Sequence, residues 1–309
     1  MIEITKRDKD FLLKLNETGA CNTKMLSEFY PMRYARVRIE KMGIEKIVNR
    51  KYGLIMLGIE GKNYLESIGV IPKIVDTLPT PTQKRLAQVL ELKYLLSNMK
   101  IETSSAYKRE QKLNRGMQFI AVATTKDNIT YLIYDVPKKI TLATKKQILR
   151  ELRNKNNIIN NAIVITRNSD FNQILISTNV YISELLIIPP SAMSINLLNT
   201  MGDGNFDRRV ISAAYPELID HKMFSQKQNK YMDGINTYVN FVLNNASAIG
   251  MLRSIDLLAT QNNTSSNQIY NIVCLEDQLE FVDDTIKNLH LKKLNIKYKS
   301  IVPGQTSFY

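Results

Sequence analysis

The sequence predicts a chain of mixed class, an α+β N-terminal domain joined to a larger α/β domain with a mixed sheet. Three observations carry this. Short helix patterns give way to two strand-like runs within the first 70 residues. A proline-rich stretch, "VIPKIVDTLPTPTQ", follows them. Beyond residue 104 strands alternate with helices, the order that builds sheet-and-helix layers. The expected boundaries are 1–71 for the first domain, 72–103 for a linker with one helix, and 104–309 for the second. A chain of 309 residues with 44% hydrophobic content accommodates two globular domains.

The first helix starts at a capping box, Thr5–Asp8 in "TKRD", and puts Phe11, Leu12 and Leu15 on one face before Gly19. Asn22 or Thr23 is placed to cap a second, "KMLSEFY", which Pro31 ends. The third spans about Met32–Met42, with Ala35, Ile39 and Met42 on its buried stripe. Arg33, Tyr34, Arg36, Val37 and Lys41 fall around the other side. "IEKIV" and "GLIMLGI" read as strands joined by the basic link "NRKYG", and "IEGKNYLESIG" as a further helix ended by Gly69. Three short helices, a basic hairpin and one more helix form the pattern of a winged helix-turn-helix.

After the prolines, Thr82 is placed to cap a helix running to about Met99. Its apolar positions exceed one exposed stripe, so it serves either core packing or self-association into a homodimer. "SSAYKREQKLNRG" then carries Lys108, Arg109, Lys112 and Arg115. "MQFIAVATT" and "NITYLIYDV" read as a hairpin, "TLATKKQILRELRNK" as a helix with a basic face, and "AIVIT" as a buried strand. "DFNQILIS" reads as a short helix and "VYISELLIIP" as a strand. "MGDGNFDRR" reads as a loop, and residues 235–263 as helical or irregular. "QIYNIVCL", "EDQLEFVDDTIKNLHL" and "LNIKYKSIV" form a strand–helix–strand unit, and "GQTSFY" is a tail.

The charge is placed unevenly. Residues 1–150 hold 28 Lys and Arg against 15 Asp and Glu, whereas residues 151–309 hold 14 of each, so the net +13 sits in the first half. A basic half beside a neutral half points to a polyanionic partner such as double-stranded DNA. On the third helix, Arg33 and Arg36 suit the acceptor edge of guanine, and Tyr34 and Val37 suit a thymine methyl or a sugar. Lys41, Arg50, Lys51, Lys108, Arg109, Lys112 and Arg115 suit phosphates. The neutral half would then serve assembly or a protein partner.

Several classes find little support. No apolar run approaches a membrane span, and "MIEITKRDKDF" lacks a signal-peptide core, so a cytoplasmic protein is expected. Cys21 and Cys274 make no disulfide framework, and His221 and His290 are too few for a histidine-rich metal site. No phosphate-binding glycine loop, dinucleotide fingerprint or nucleophile elbow occurs. The one enzymatic alternative is a Mg²⁺-dependent nuclease built on Asp135 and Lys138 in "YLIYDVPKK", with Glu102 or Glu110 as the upstream acid. Its acid-to-lysine spacing is one residue longer than in restriction-type sites, and Pro137 intrudes. A third reading is a transcription factor whose second domain senses a small ligand.

The N-terminal "ITKRDKDFLLKLNETGACNTKMLSEFY", the hairpin and "IEGKNYLESIG" together resemble the plasmid replication–relaxation family. The resemblance implies a winged helix joined to a degenerate restriction-endonuclease-like α/β domain. It also implies a DNA-handling role in replication, conjugative transfer or transcription regulation of a plasmid or other mobile genetic element. It covers residues 1–70 and, in architecture alone, about 105–180.

Overall fold

The computed structural model describes residues 2–154, 161–168, 170–171, 174–175, 182–218, 230–243, 246–262 and 268–302. It has mixed α/β composition and divides into two compact units, residues 1–97 with 101–109, and residues 98–100 with 110–309. Among the described residues no helix is long and apolar enough to cross a membrane. Half of the helix expected at 170–177, His221 and the "GQTSFY" tail lie outside the described residues.

In the first unit, α1 (Lys6–Asn16) opens with the complete capping box: the Thr5 side chain accepts from the Asp8 amide and the Asp8 side chain accepts from the Thr5 amide. A short strand, β1 (Ala20–Asn22), follows, where no strand was expected. The second helix is a 3-10 turn (Thr23–Met25) leading into α2 (Leu26–Phe29), with no side-chain cap from Asn22. The Asn22 side-chain amide instead donates to Glu91 at 3.2 Å. Next come α3 (Met32–Ile44), β2 (Val48–Lys51), β3 (Leu54–Leu57) and α4 (Ile59–Ser67). The strands form an antiparallel sheet in the order β1-β3-β2.

The hairpin is tighter than the sequence suggested. Lys51 pairs with Leu54, so Asn49–Lys51 belong to the strand and only Tyr52 and Gly53 make the turn. Both have left-handed φ, +54° and +75°, as a two-residue type I′ turn requires.

Both faces of the central strand β3 are covered. Ile55 and Leu57 join Phe11, Leu12, Leu15, Ile39 and Met42 in one apolar cluster. Leu54 and Met56 join Ala20, Val75, Leu86 and Ala87 in another. The last two belong to α5 (Thr80–Leu95), which also gives Leu90 to the first cluster. These contacts account for Leu86, Ala87 and Leu90 of α5, which pack within their own unit. This helix starts two residues before Thr82 and has no side-chain cap. The proline-rich segment ahead of it is tied down: Asn16 donates to the Ile71 carbonyl, and Gln83 donates to the carbonyls of Val75, Asp76 and Leu78.

The strand β4 (Lys100–Thr103) and α6 (Ser104–Glu110) run across the boundary between units. In the second unit, β5 (Ala121–Thr124) pairs antiparallel with β6 (Thr130–Val136). α7 (Leu142–Leu152), capped by Thr141, leads to β7 (Asn161–Thr166), which pairs in parallel with β6. β8 (Glu184–Ile188) extends the sheet in parallel. The segment 201–209 read as a loop narrows to residues 203–205, with Gly204 at φ +84°, between the end of α8 (Ala192–Gly202) and the start of α9 (Phe206–Ala214).

A second mixed sheet follows, with β10 (Asn236–Asn240), β11 (Ile269–Leu275) and β12 (Asn295–Ile301) parallel and β9 (Lys230–Asp233) antiparallel at the edge. β10 corrects the helical or irregular reading of 235–263, whose helix among the described residues is α10 (Ala246–Gln261). α11 (Leu279–Lys287) adds Val282 and Ile286 to a core with Val239, Phe241, Leu252, Tyr270 and Ile272. Burial pushes the Cys274 thiol here up to about 11, and the Cys21 thiol in the first unit up to about 12. Both cysteines are free.

Candidate nucleic-acid interface

The basic run on α3 is sorted by helical geometry. Ala35, Arg38, Ile39 and Met42 recur at the i, i+3, i+4, i+7 spacing of one helix face, and all four are buried. Arg38 is therefore the inward arginine of the run. Its guanidinium donates to both oxygens of Asp8, through Nε at 3.0 Å and through Nη2, and Nη2 also reaches the Glu3 carbonyl at 2.6 Å. The Tyr30 hydroxyl donates to Asp8 Oδ1 at 3.0 Å and the Thr5 hydroxyl to Oδ2 at 2.6 Å. Burial alone would raise the Asp8 carboxyl. The bonds from Arg38, Thr5 and Tyr30 outweigh it and hold the group below its ordinary value. One carboxylate thus caps α1 and fixes α3 and the end of α2 against it.

The other face of α3 is open. Arg33, Tyr34, Arg36, Val37 and Lys41 are all exposed, and so is Met32, at 80%. Val37, an apolar β-branched residue in mid-helix, is 50% exposed, which core packing does not require.

Arg50 of β2 and Arg36 of α3 line one groove of about 420 Å³, together with Lys24, Ser27, Met32 and Ile39. Arg50 reaches it because its Cα partner is Ile55, whose side chain joins the helix-side cluster. Lys51 lies at the hairpin tip, its ammonium 5.1 Å from the centre of the exposed Tyr52 ring. A shallower hollow is lined by Lys6, Arg7, Pro31 and Tyr34, where α1 and α3 both begin. Such cationic donors around an exposed helix suit acceptor oxygens arranged along a groove or strand backbone.

Other expected contact residues are placed differently. Lys108 is buried at 4% exposure, so its ammonium is not presented to a partner, whereas Arg109 is exposed in the same helix. α6 is short, and its spacing turns Ser104 and Lys108, four residues apart, to the buried side. Lys112, at φ +53°, and Arg115 are exposed but belong to the second unit. The sequence reading passed over Lys24, Lys6 and Arg7. Lys24 sits in a 3-10 turn, where helical periodicity gives no signal.

Asp135 is the penultimate residue of β6 rather than its last, and its Oδ1 accepts from Arg167 Nη1 at 2.8 Å. Lys138 is exposed, and its backbone carbonyl accepts from the Asn168 side chain. Glu110 is exposed at the end of α6, and Glu102 is half-buried in β4. Among the described residues no group of three or more His, Cys, Asp or Glu side chains gathers where it could hold a metal ion. No family model, curated protein or solved structure matches the chain.

Proposed function

We propose that the chain is a sequence-specific double-stranded DNA-binding protein whose first unit acts as a winged helix-turn-helix. In this reading α3 enters the major groove and the β2–β3 hairpin is the wing. A helix fits that groove, about 12 Å wide, when one face is free of packing, and the face bearing Arg33, Tyr34, Arg36 and Val37 is exposed. The observation that carries the reading is the shared groove of Arg36 and Arg50. A helix side chain placed for base edges and a hairpin side chain placed for phosphate stand on one surface. The Asp8–Arg38 pair supports it as well, because it holds the reading helix at a fixed angle to α1.

The resemblance to the plasmid replication–relaxation family extends the proposal to a role in replication, transfer or transcription regulation of a mobile element. The decisive experiment is selection of bound fragments from a random duplex library, followed by titration of the winning site. Arg33→Ala or Arg36→Ala should each cost about 1–3 kcal/mol of discrimination at the bases it reads. Arg50→Ala and Lys51→Ala should weaken all sequences alike. An unselected library, or full sequence preference in the α3 variants, would overturn the assignment.

A further inference from the structure

The second unit carries a cationic groove that is separate from the proposed reading surface. It is about 710 Å³ in volume and lies between α7 and the turn after α6, lined by Lys146, Arg150, Arg153, Asn154, Asn114 and Met117. Lys146, Arg150 and Arg153 are all exposed. They follow one another along α7 and its C-cap at helical spacing, so their charges lie along one edge of the groove.

The groove has a supported interior. Its one lining carboxylate, Glu151, is buried and turned inward, accepting from the Gln118 amide at 2.9 Å and the Tyr134 hydroxyl at 3.1 Å. Gln147 donates to Glu151 at 2.7 Å and accepts from Arg150 Nη2 at 2.5 Å. A chain of hydrogen bonds therefore runs from the β6 side chain Tyr134 out to the Arg150 guanidinium and fixes where it points. A guanidinium held this way loses less freedom on binding an oxyanion than a loose surface arginine does.

We infer that this α7 groove is a second contact surface for the phosphate backbone of duplex DNA, adding affinity without reading sequence. The inference rests on the DNA-binding reading above. Three cations in a row along the groove edge match a repeating line of phosphates, which suits backbone contact. Lys146 and Arg150 also belong to the basic stretch of residues 73–150, where 15 Lys and Arg face 6 Asp and Glu.

The test measures affinity of the full chain for its selected duplex and for an unrelated duplex across a salt series. The variants are Lys146→Ala/Arg150→Ala/Arg153→Ala and, as a charge-keeping control, Arg150→Lys. The triple variant should bind both duplexes more weakly by the same factor. Its log–log salt slope should be shallower by roughly 0.9 for each phosphate it no longer neutralises. The specificity ratio should be unchanged and the lysine control should keep the wild-type slope. A triple variant with wild-type slope and affinity would overturn the inference while leaving the DNA reading standing. Loss of sequence preference in that variant, or suppression of the α7-dependent part by single-stranded rather than duplex competitor, would overturn it too. Wild-type protein that binds no duplex would overturn both.

Discussion

Arg38 on α3 clasps Asp8 on α1 through two of its guanidinium nitrogens, although it lies two residues from Arg36, which faces the surface groove. The two arginines belong to one run in the sequence and to opposite sides of one helix. The run is therefore divided in role: Arg38 sets where the helix lies, and Arg33 and Arg36 are what the helix presents.

Truncation should separate these roles cleanly. Arg38→Ala leaves the Asp8 carboxylate buried with only neutral donors, a loss expected to cost about 3–5 kcal/mol. Arg36→Ala removes an exposed side chain and should change stability by less than about 0.5 kcal/mol. Urea unfolding followed by circular dichroism measures both. Equal effects would show that the Asp8–Arg38 pair does not hold the unit together.

The acid-dependent stability of the two units should run in opposite directions. Asp8 sits below its ordinary value near 3.8 in the folded protein, so its contribution is present above that value and is lost as pH falls through the lowered one. In the second unit burial raises the Glu184 carboxyl despite the hydrogen bond from Tyr131 at 2.5 Å, and Asp207 nearby adds to the rise. Burial raises Asp207 too, against a bond from Asn240. A raised acid favours folding while protonated, and that benefit disappears as pH climbs through the raised value. Melting temperatures of wild type and Asp8→Asn should converge as pH falls below 3.8. Glu184→Gln should overtake wild type as pH rises toward neutrality, and a Gln variant less stable than wild type at pH 7 would contradict this account.

The glycines of "GIEG" have a steric explanation that yields a graded prediction. A Cβ on Gly61 would stand 2.1 Å from the Ile47 carbonyl oxygen, and one on Gly58 would stand 2.0 Å from that of Lys46. This close approach lets the Glu60 amide donate to the Lys46 carbonyl at 3.1 Å, so backbone caps the start of α4 in place of a side chain. The obstacle is backbone, so Gly61→Ala must displace the α3–β2 connection, at a cost of about 1–3 kcal/mol or more. Gly69, at φ +77° with open space around it, should lose only about 1–2 kcal/mol on substitution by Ala. Thermal unfolding of the two variants would rank them, and the reverse order would refute the close-packing explanation.

Much of the first unit was legible because its signals are local. The Thr5–Asp8 box, the Ala35–Ile39–Met42 stripe and Gly69 each fix a helix through neighbours within a few residues. The strand at Ala20–Asn22 was not legible, since three residues have no period and the strand exists only through its pairing with Leu54–Met56. Arg38 was half legible: its spacing from Ala35 and Met42 marks it as inward, but its partner lies 30 residues away. In the second unit Asn205 and Gly204 suggested a loop where they only separate two helices. β10 hid in a polar-rich run because Asn240 and Thr237 are buried there. The α7 groove needed a three-dimensional view, for Asn114 and Met117 meet α7 across more than 25 residues of chain.

Asp135 offers the last test, because its geometry favours a scaffold role over a nuclease one. Its partner Arg167 follows β7, the strand paired with β6, and the 2.8 Å contact links the ends of these two parallel strands. An arginine in that position competes with a divalent cation for the carboxylate oxygen. The pair is partly exposed, so breaking it should cost little: Asp135→Asn and Arg167→Ala should each lower stability by less than about 1 kcal/mol, and the double variant by no more than either alone. Lys138→Ala, whose side chain points to solvent, should leave stability unchanged within about 0.5 kcal/mol. All four variants should bind the selected duplex with wild-type affinity. Supercoiled plasmid incubated with wild-type protein and Mg²⁺ provides the opposing outcome: nicking that Asp135→Asn abolishes would make Asp135 a catalytic carboxylate and return the chain to the enzymes.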